Sequence, residues 1–277
     1  MTRRLSILLV LGAGPFFATA AGAAHAQRGP LVADRPDFTE AAATVGRGVF
    51  QLEFGYTYEY DRPEGSGGGG VWTHSLGEPL LRVGVLAEGL ELRLGLNPAS
   101  VGAGADGRNI TERGVEDLYV GIKLALAEQD GLRPALAILP QMTVPTGSGA
   151  FTNDRTLPGV NFIYGWDLSD NVALAGSTQL NRAVTASRDA EDAEEEYREW
   201  AQSAVAGFSL SARAAVYAEW FAVFHDEPLG TRAEHYANGG FTWSLGDDLQ
   251  WDIRAGVGLN EAATGFFGGT GLVVRFP

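Results

Sequence analysis

From Val49 to Tyr60 the chain reads Val49-Phe50-Gln51-Leu52-Glu53-Phe54-Gly55-Tyr56-Thr57-Tyr58-Glu59-Tyr60, with every even position apolar or aromatic and the odd positions after Val49 short or polar. A period of two places successive side chains on opposite faces of a strand, so this segment has one greasy and one wet face. A soluble sandwich would bury such a face. The same alternation recurs along the whole chain, however, and the greasy face is read as turned toward lipid.

The remaining strands are expected to point these residues outward: Leu81, Val83 and Val85; Leu90, Leu92, Leu94 and Leu96; Leu118, Val120, Ile122, Leu124 and Leu126; Leu136, Ile138, Met142 and Val144; Val160, Phe162, Tyr164, Trp166 and Leu168. Later segments add Val172, Leu174, Thr178 and Leu180; Trp200, Ala204, Phe208 and Leu210; Val216, Ala218, Trp220 and Phe224; Phe241, Trp243 and Leu245; Leu249, Trp251, Ile253 and Val257; and Phe266, Leu272, Val274 and Phe276. With the opening strand that makes about twelve, an even number as single-chain bacterial barrels require. Pro140 cannot donate to a ladder, so its strand is expected to bulge or to start later.

The connections alternate in length. Short turns fall at Ala87-Glu88-Gly89, Glu128 to Gly131, Ser169-Asp170-Asn171, Ser211-Ala212-Arg213 and Gly246-Asp247-Asp248. Longer links fall near 61–79, 97–116, 145–158, 181–199, 225–236 and 260–265. Short periplasmic turns and long outer loops are the layout of an outer-membrane barrel. The expected fold is therefore all-β: a closed, antiparallel, up-and-down transmembrane β-barrel of about twelve strands over residues 49–277.

Residues 1–26 carry Arg3-Arg4, an apolar run and small residues ending in Ala24-His25-Ala26, the pattern of a cleaved signal peptide for export. No later segment has about 18 consecutive apolar residues, so no helical anchor is expected. There is no cysteine to form disulfides or thiolate metal sites. The net charge of −14 becomes about −16 once Arg3 and Arg4 are removed, which argues against nucleic acid as a partner. Expected partners are outer-membrane lipid and a small-molecule solute, with no cofactor; the sequence leaves the oligomeric state open. Seven acidic residues from Asp189 to Glu199 read as a solvated outer loop, and Gly67 to Gly70 as another.

If the even-type positions face lipid, the opposite set lines the interior: Glu53, Glu59, Arg82, Glu91, Arg93, Asp117, Lys123, Asp167, Glu219, Asp252, Arg254 and Arg275. Unpaired charges in a narrow lumen are costly, so these are expected to pair across strands. Glu53, Arg82, Glu91, Arg93, Asp117, Lys123, Asp252 and Arg254 are the candidates for a solute pathway. Residues 27–48 precede the first strand without a sustained period. Within them Asp34, Arg35, Asp37 and Glu40 are expected to fold into the periplasmic mouth as a partial plug, pairing with Arg82, Arg93 or Arg254. No catalytic residue and no metal ligand is assigned. His74, His225 and His235 fall in or beside the long links, and His74 and Ser75, being adjacent on an extended chain, point to opposite sides.

The run Asp34-Arg35-Pro36-Asp37-Phe38-Thr39-Glu40 leading into Gly48-Val49-Phe50-Gln51-Leu52-Glu53-Phe54-Gly55-Tyr56 resembles the opening of the outer-membrane transporter-like proteins associated with the meta-pathway of phenol degradation. Leu90-Glu91-Leu92-Arg93, Gly114 to Lys123 and Pro145-Thr146-Gly147 are similar to later segments of that family. The resemblance implies a barrel for passive passage of small, aromatic or hydrophobic, solutes. It carries over no catalytic residue. Two other readings stand beside it: a non-conducting structural or surface-interaction barrel, and a membrane lipase.

Overall fold

The computed structural model describes residues 30–61, 70–105, 108–186, 194–226 and 232–276. Residues 1–26, where a signal peptide is expected, and Gly67 to Gly69 of the glycine run lie outside the described residues. Fourteen strands form one sheet: β1 (Phe50–Asp61), β2 (Gly70–Gly84), β3 (Leu90–Gly95), β4 (Pro98–Ala105), β5 (Arg108–Val115), β6 (Leu118–Ala127) and β7 (Ala135–Val144) come first. They are followed by β8 (Leu157–Ser169), β9 (Val172–Ala186), β10 (Glu194–Ser211), β11 (Ala214–His225), β12 (Glu234–Gly246), β13 (Leu249–Gly258) and β14 (Phe266–Phe276).

The sheet returns to its own beginning. β1 pairs with β14 from Phe50↔Phe276 to Tyr60↔Phe266, and on its other edge with β2. Twelve strands make the ring, β1, β2, β3 and β6 to β14, and every neighbouring pair is antiparallel. β4 and β5 are a hairpin that prolongs β3 and β6, with β4 pairing to the first part of β2 and β3 to the last part. Closure leaves no sheet edge in the ring, which is what a strand protein needs in hydrocarbon, where an unpaired N–H or C=O finds no water.

The alternation resolves as a lipid face and a lumen face. In β1, Gln51, Glu53 and Thr57 are buried while Phe50 is exposed; in β3, Glu91 and Arg93 are buried while Leu92 and Leu94 are exposed. Outward aromatic residues meet across strands: Trp200 stacks on Phe224 with centroids 3.9 Å apart, and Trp243 lies opposite Trp251. Such rings suit the boundary between headgroups and water.

The connections sort by end. The links on one end are 85–89, 128–134, 170–171, 212–213 and 247–248, and those on the other include 145–156 and 259–265. All but the last of the expected long links are shorter than the sequence indicated, because the strands continue into them; the link expected at 260–265 spans 259–265. Residues 70–79, 98–105, 108–115, 181–186 and 194–199 are strand. Beyond the membrane both faces of a strand are wet, so the period-two signal that marks a lipid-facing strand disappears while the ladder continues. Glu194, Glu195, Glu196 and Glu199 of the expected acidic loop consequently lie on β10; Asp189, Glu191 and Asp192 lie outside the described residues. His74 likewise sits inside β2, where its Nδ1 is 2.8 Å from Tyr56 Oη.

Pro140 requires another correction. β7 begins at Ala135 and has the same register with β6 on both sides of the proline, Leu124↔Ile138 and Gly121↔Gln141. Leu139 and Pro140, and Ile122 and Lys123 opposite them, form no β6–β7 pairs, so the missing donor falls in a two-residue gap.

Candidate solute pathway and its plug

The chain before β1 enters the barrel at the end that carries the short turns. Gly48 N donates to Gly84 O at 2.9 Å, and the Thr44 hydroxyl bonds Glu88 O in the turn between β2 and β3. Gly84 is required here: a Cβ on it would collide with the carbonyl of Gly46.

Asp34 to Glu40 then crosses the lumen. At one wall the Asp34 carboxylate lies 3.2 Å from Arg82 Nη1, 2.8 Å from Arg93 Nη1 and 3.1 Å from Lys123 Nζ, and these three side chains are no more than 2% exposed. Glu53 holds the same segment by its backbone, accepting from Asp34 N at 3.1 Å and Arg35 N at 3.1 Å. Cross-strand pairs brace the cations: Arg82 with Glu91 and with Glu53, each at 2.8 Å. Lys123 also donates to Ala41 O at 2.8 Å, and Glu91 accepts from Val45 N at 2.9 Å. The segment thus completes a network that the wall alone would leave short of partners, consistent with the rule that buried charge is paired and hydrogen-bonded.

The far wall is reached through Glu219 on β11. Its carboxylate accepts from Phe38 N at 2.8 Å, Thr39 N at 2.7 Å and the Thr39 hydroxyl at 2.6 Å, and also from Asn238 Nδ2 at 2.6 Å. Since β6 and β11 lie nearly opposite each other around the ring, the segment spans the lumen. Glu40 reaches Arg93 at 2.8 Å and Asn161 at 3.1 Å. Arg35 pairs with Glu78 at 2.6 Å and Asp252 at 3.4 Å, its guanidinium lying over Gly55 and Gly271, which face each other across β1 and β14. Any Cβ at either glycine would occupy the place of that guanidinium. Arg254 donates to Pro36 O and to the Thr57 hydroxyl, each at 3.0 Å.

Asp37 lines a cavity of about 260 Å³ with Arg35, Pro36, Tyr217 and the small inner residues Ala173, Ala175 and Gly207. Those wall residues lie close to the short turns, so the cavity is on the turn side of the plug.

Of the expected pathway residues, Glu53, Arg82, Glu91, Arg93, Lys123, Asp252 and Arg254 all contact the plug or one another. Asp117 does not. It stands in the break between β5 and β6 and accepts from Gly147 N and Asn153 N, both at 2.9 Å, fastening the outer link 145–156. Burial raises the pKa of this carboxyl, and the two backbone N–H donors outweigh that and lower it. Among the other charges expected inside, Glu59 and Asp167 are exposed near opposite ends of the barrel, and Arg275 pairs with Asp248 at 2.7 Å by a short turn.

Sequence reasoning missed Glu78 and the anchoring role of Glu219. Glu78 falls within the link expected near 61–79, whereas Gly77 and Glu78, at φ of 84° and 38°, form a bulge inside β2. Glu219 is expected to face inward, but the groups it binds are backbone N–H donors of a distant segment, which no residue type announces.

No curated protein matches the chain by sequence. Among solved structures, an outer-membrane channel from Pseudomonas putida F1 superposes with a TM-score of 0.65 at 13% identity, covering 85% of this chain and 98% of that one. The translocator domain of the autotransporter NalP from Neisseria meningitidis gives 0.56 at 12% identity, covering 83% and 89%. The transport unit of AIDA-I from Escherichia coli gives 0.54 at 9%, covering 83% and 90%. At these identities the likeness is one of fold: a barrel of the outer membrane. A family-wide sequence profile described as "Putative MetA-pathway of phenol degradation" matches residues 33–276, through to the closing strand, and the chain belongs to that family.

Proposed function

We propose that this protein is an outer-membrane channel for passive passage of small, aromatic or hydrophobic solutes, with residues 30–48 as a plug that must shift for solute to pass. The observation that carries the reading is that a separate segment of chain, Asp34 to Glu40, crosses the lumen from Lys123 on one wall to Glu219 on the other. That segment is joined to the barrel by side-chain ion pairs and hydrogen bonds and has no ladder pairing beyond Gly48. Such contacts are broken and remade without opening the barrel. The cavity on the turn side, about 260 Å³, exceeds the ~150 Å³ of an apolar cavity that accepts benzene, so one single-ring solute fits. The outer-membrane channel from Pseudomonas putida F1 supports the same reading through its fold.

A second reading is favoured by the depth of the ion pairs: with Arg82, Arg93 and Lys123 buried by the plug, the barrel is a closed structural element and the segment never leaves. Planar-bilayer conductance and liposome swelling, comparing the intact protein with a form lacking residues 27–45, decide between the two. The channel reading expects flux that rises sharply on deletion. Absence of flux from both forms rejects it.

A further inference from the structure

On the outer side of the plug tip, three inward rings gather: Phe221 on β11, Tyr236 on β12 and Phe267 on β14, each no more than 9% exposed. Phe221 and Tyr236 stack with centroids 4.6 Å apart and planes 13° from parallel, and Phe267 closes the corner at 6.2 Å from Tyr236. Ala263, from the link 259–265, packs over them. The fourth ring belongs to the plug. Phe38 lies flat on Phe221, centroids 4.4 Å apart and planes 5° from parallel.

We propose that this is a binding slot for a planar single-ring solute, that Phe38 occupies it as an internal stand-in, and that an arriving ring takes its place and frees the plug tip. The inference rests on the channel reading and adds how that channel is opened.

Three observations lead there. The rings form one packed cluster on β11, β12 and β14, whereas the inner faces of β9 and β10 toward the short turns carry Ala173, Ala175, Ser177, Ser203, Val205 and Gly207. Filling space against a plug needs no stacked rings, whereas recognising a flat ring does. The Phe38 ring also has no polar tether of its own, since Glu219 holds the adjacent backbone N–H groups. Phe38 is held by the stack of its ring on Phe221 and by its backbone N–H, which donates to Glu219 at 2.8 Å; an arriving ring reproduces the first of these contacts. Finally, the slot is edged by polar atoms lacking hydrogen-bond partners among the described residues: Asn238 Oδ1, on an 8% exposed side chain, and Arg254 Nε. Arg254 lies over the Phe267 ring with its guanidinium carbon 5.8 Å from the centroid. A ring bearing a short hydroxyl arm would satisfy one of them while it stacks.

The test uses the full mature protein in detergent micelles, with benzyl alcohol and cyclohexylmethanol as probes of equal substituent and different ring. Binding is read by saturation-transfer NMR. Phe38→Ala removes the internal competitor, so benzyl alcohol is expected to bind at least about fivefold more tightly than to the wild type, the factor a lost ring stack represents. Cyclohexylmethanol is expected to gain no such factor. Phe38→Leu, which keeps apolar bulk without a flat face, guards against a folding artefact, and heat-dependent gel mobility reports that each barrel is closed. Equal binding of the two alcohols, or no gain in either folded variant, overturns the slot. Conductance separates this from the channel reading: flux without ring preference leaves the channel and removes the slot, and ring preference without flux does the reverse.

Discussion

Asp34 is the residue of the proposed plug whose removal has the clearest worked consequence. Among the described residues, the carboxylate partner of Lys123 is Asp34 alone, and Lys123 is fully buried. Asp34→Ala leaves that ammonium with the Ala41 carbonyl as its hydrogen-bond acceptor, while Arg82 and Arg93 keep Glu53, Glu91 and Glu40. Removing one partner of a buried pair costs about 3–5 kcal/mol because the other charge is stranded. This cost falls on the plugged state, since withdrawal of the segment exposes Lys123 to the lumen. At ~1.4 kcal/mol per factor of ten, the balance between plugged and open barrels shifts by roughly 10² to 4 × 10³. None of these contacts belongs to the ladder, so the barrel is expected to keep its heat-dependent gel mobility. Single-channel recording in a planar bilayer is the assay, read as open probability. Lys123→Met in the Asp34→Ala background removes the stranded charge and is expected to recover part of the closed fraction. An open probability unchanged in Asp34→Ala, with the barrel folded, would refute the reasoning that buried ion pairs hold the plug.

The other predictions address separate contacts. Glu219→Ala orphans Phe38 N and Thr39 N, at ~1–3 kcal/mol each if both stay buried, and should raise open probability; hydrogen exchange at those two amides should speed up in parallel. Gly271→Val should expel the Arg35 guanidinium from its place over the paired glycines and increase conductance while the barrel stays closed, whereas Gly268→Ala, whose Cβ would meet only ordinary contacts, should leave conductance unchanged. Asp117 has its folded pKa lowered below the ordinary 3.8. The stabilisation it gives the link 145–156 is therefore complete above that value and is lost as pH falls below 3.8 through the lowered one. Hydrogen exchange at Gly147 and Asn153 should accelerate across that interval, and Asp117→Asn should abolish the dependence.

Much of the wall could be read from residue order. Period two assigns Glu53, Arg82, Glu91, Arg93 and Lys123 to one face and Leu52, Leu81, Leu92, Leu94 and Ile122 to the other, because in a strand the side chain's direction follows from its position alone. Count and closure follow in the same way, since a sheet with one greasy face in lipid has to end where it began. The signal fades where the solvent changes. In β4 and β5, and at the outer ends of β2, β9 and β10, water wets both faces, so nothing in the order of residues separates strand from loop.

What the sequence determined by itself is the face each strand residue presents and the presence of a charged, unpaired segment ahead of the first strand. Tertiary structure alone decided the partners: that Asp34 meets three cations from three strands, that Glu219 receives the backbone of Phe38 and Thr39, that Phe38 lies on Phe221, and that Asp117 serves an outer link. Alternation is a local property, set within two residues by the pleat. Partnership depends on the stagger of twelve strands and on the path of a chain across the space they enclose, and both exist only once the ring has closed.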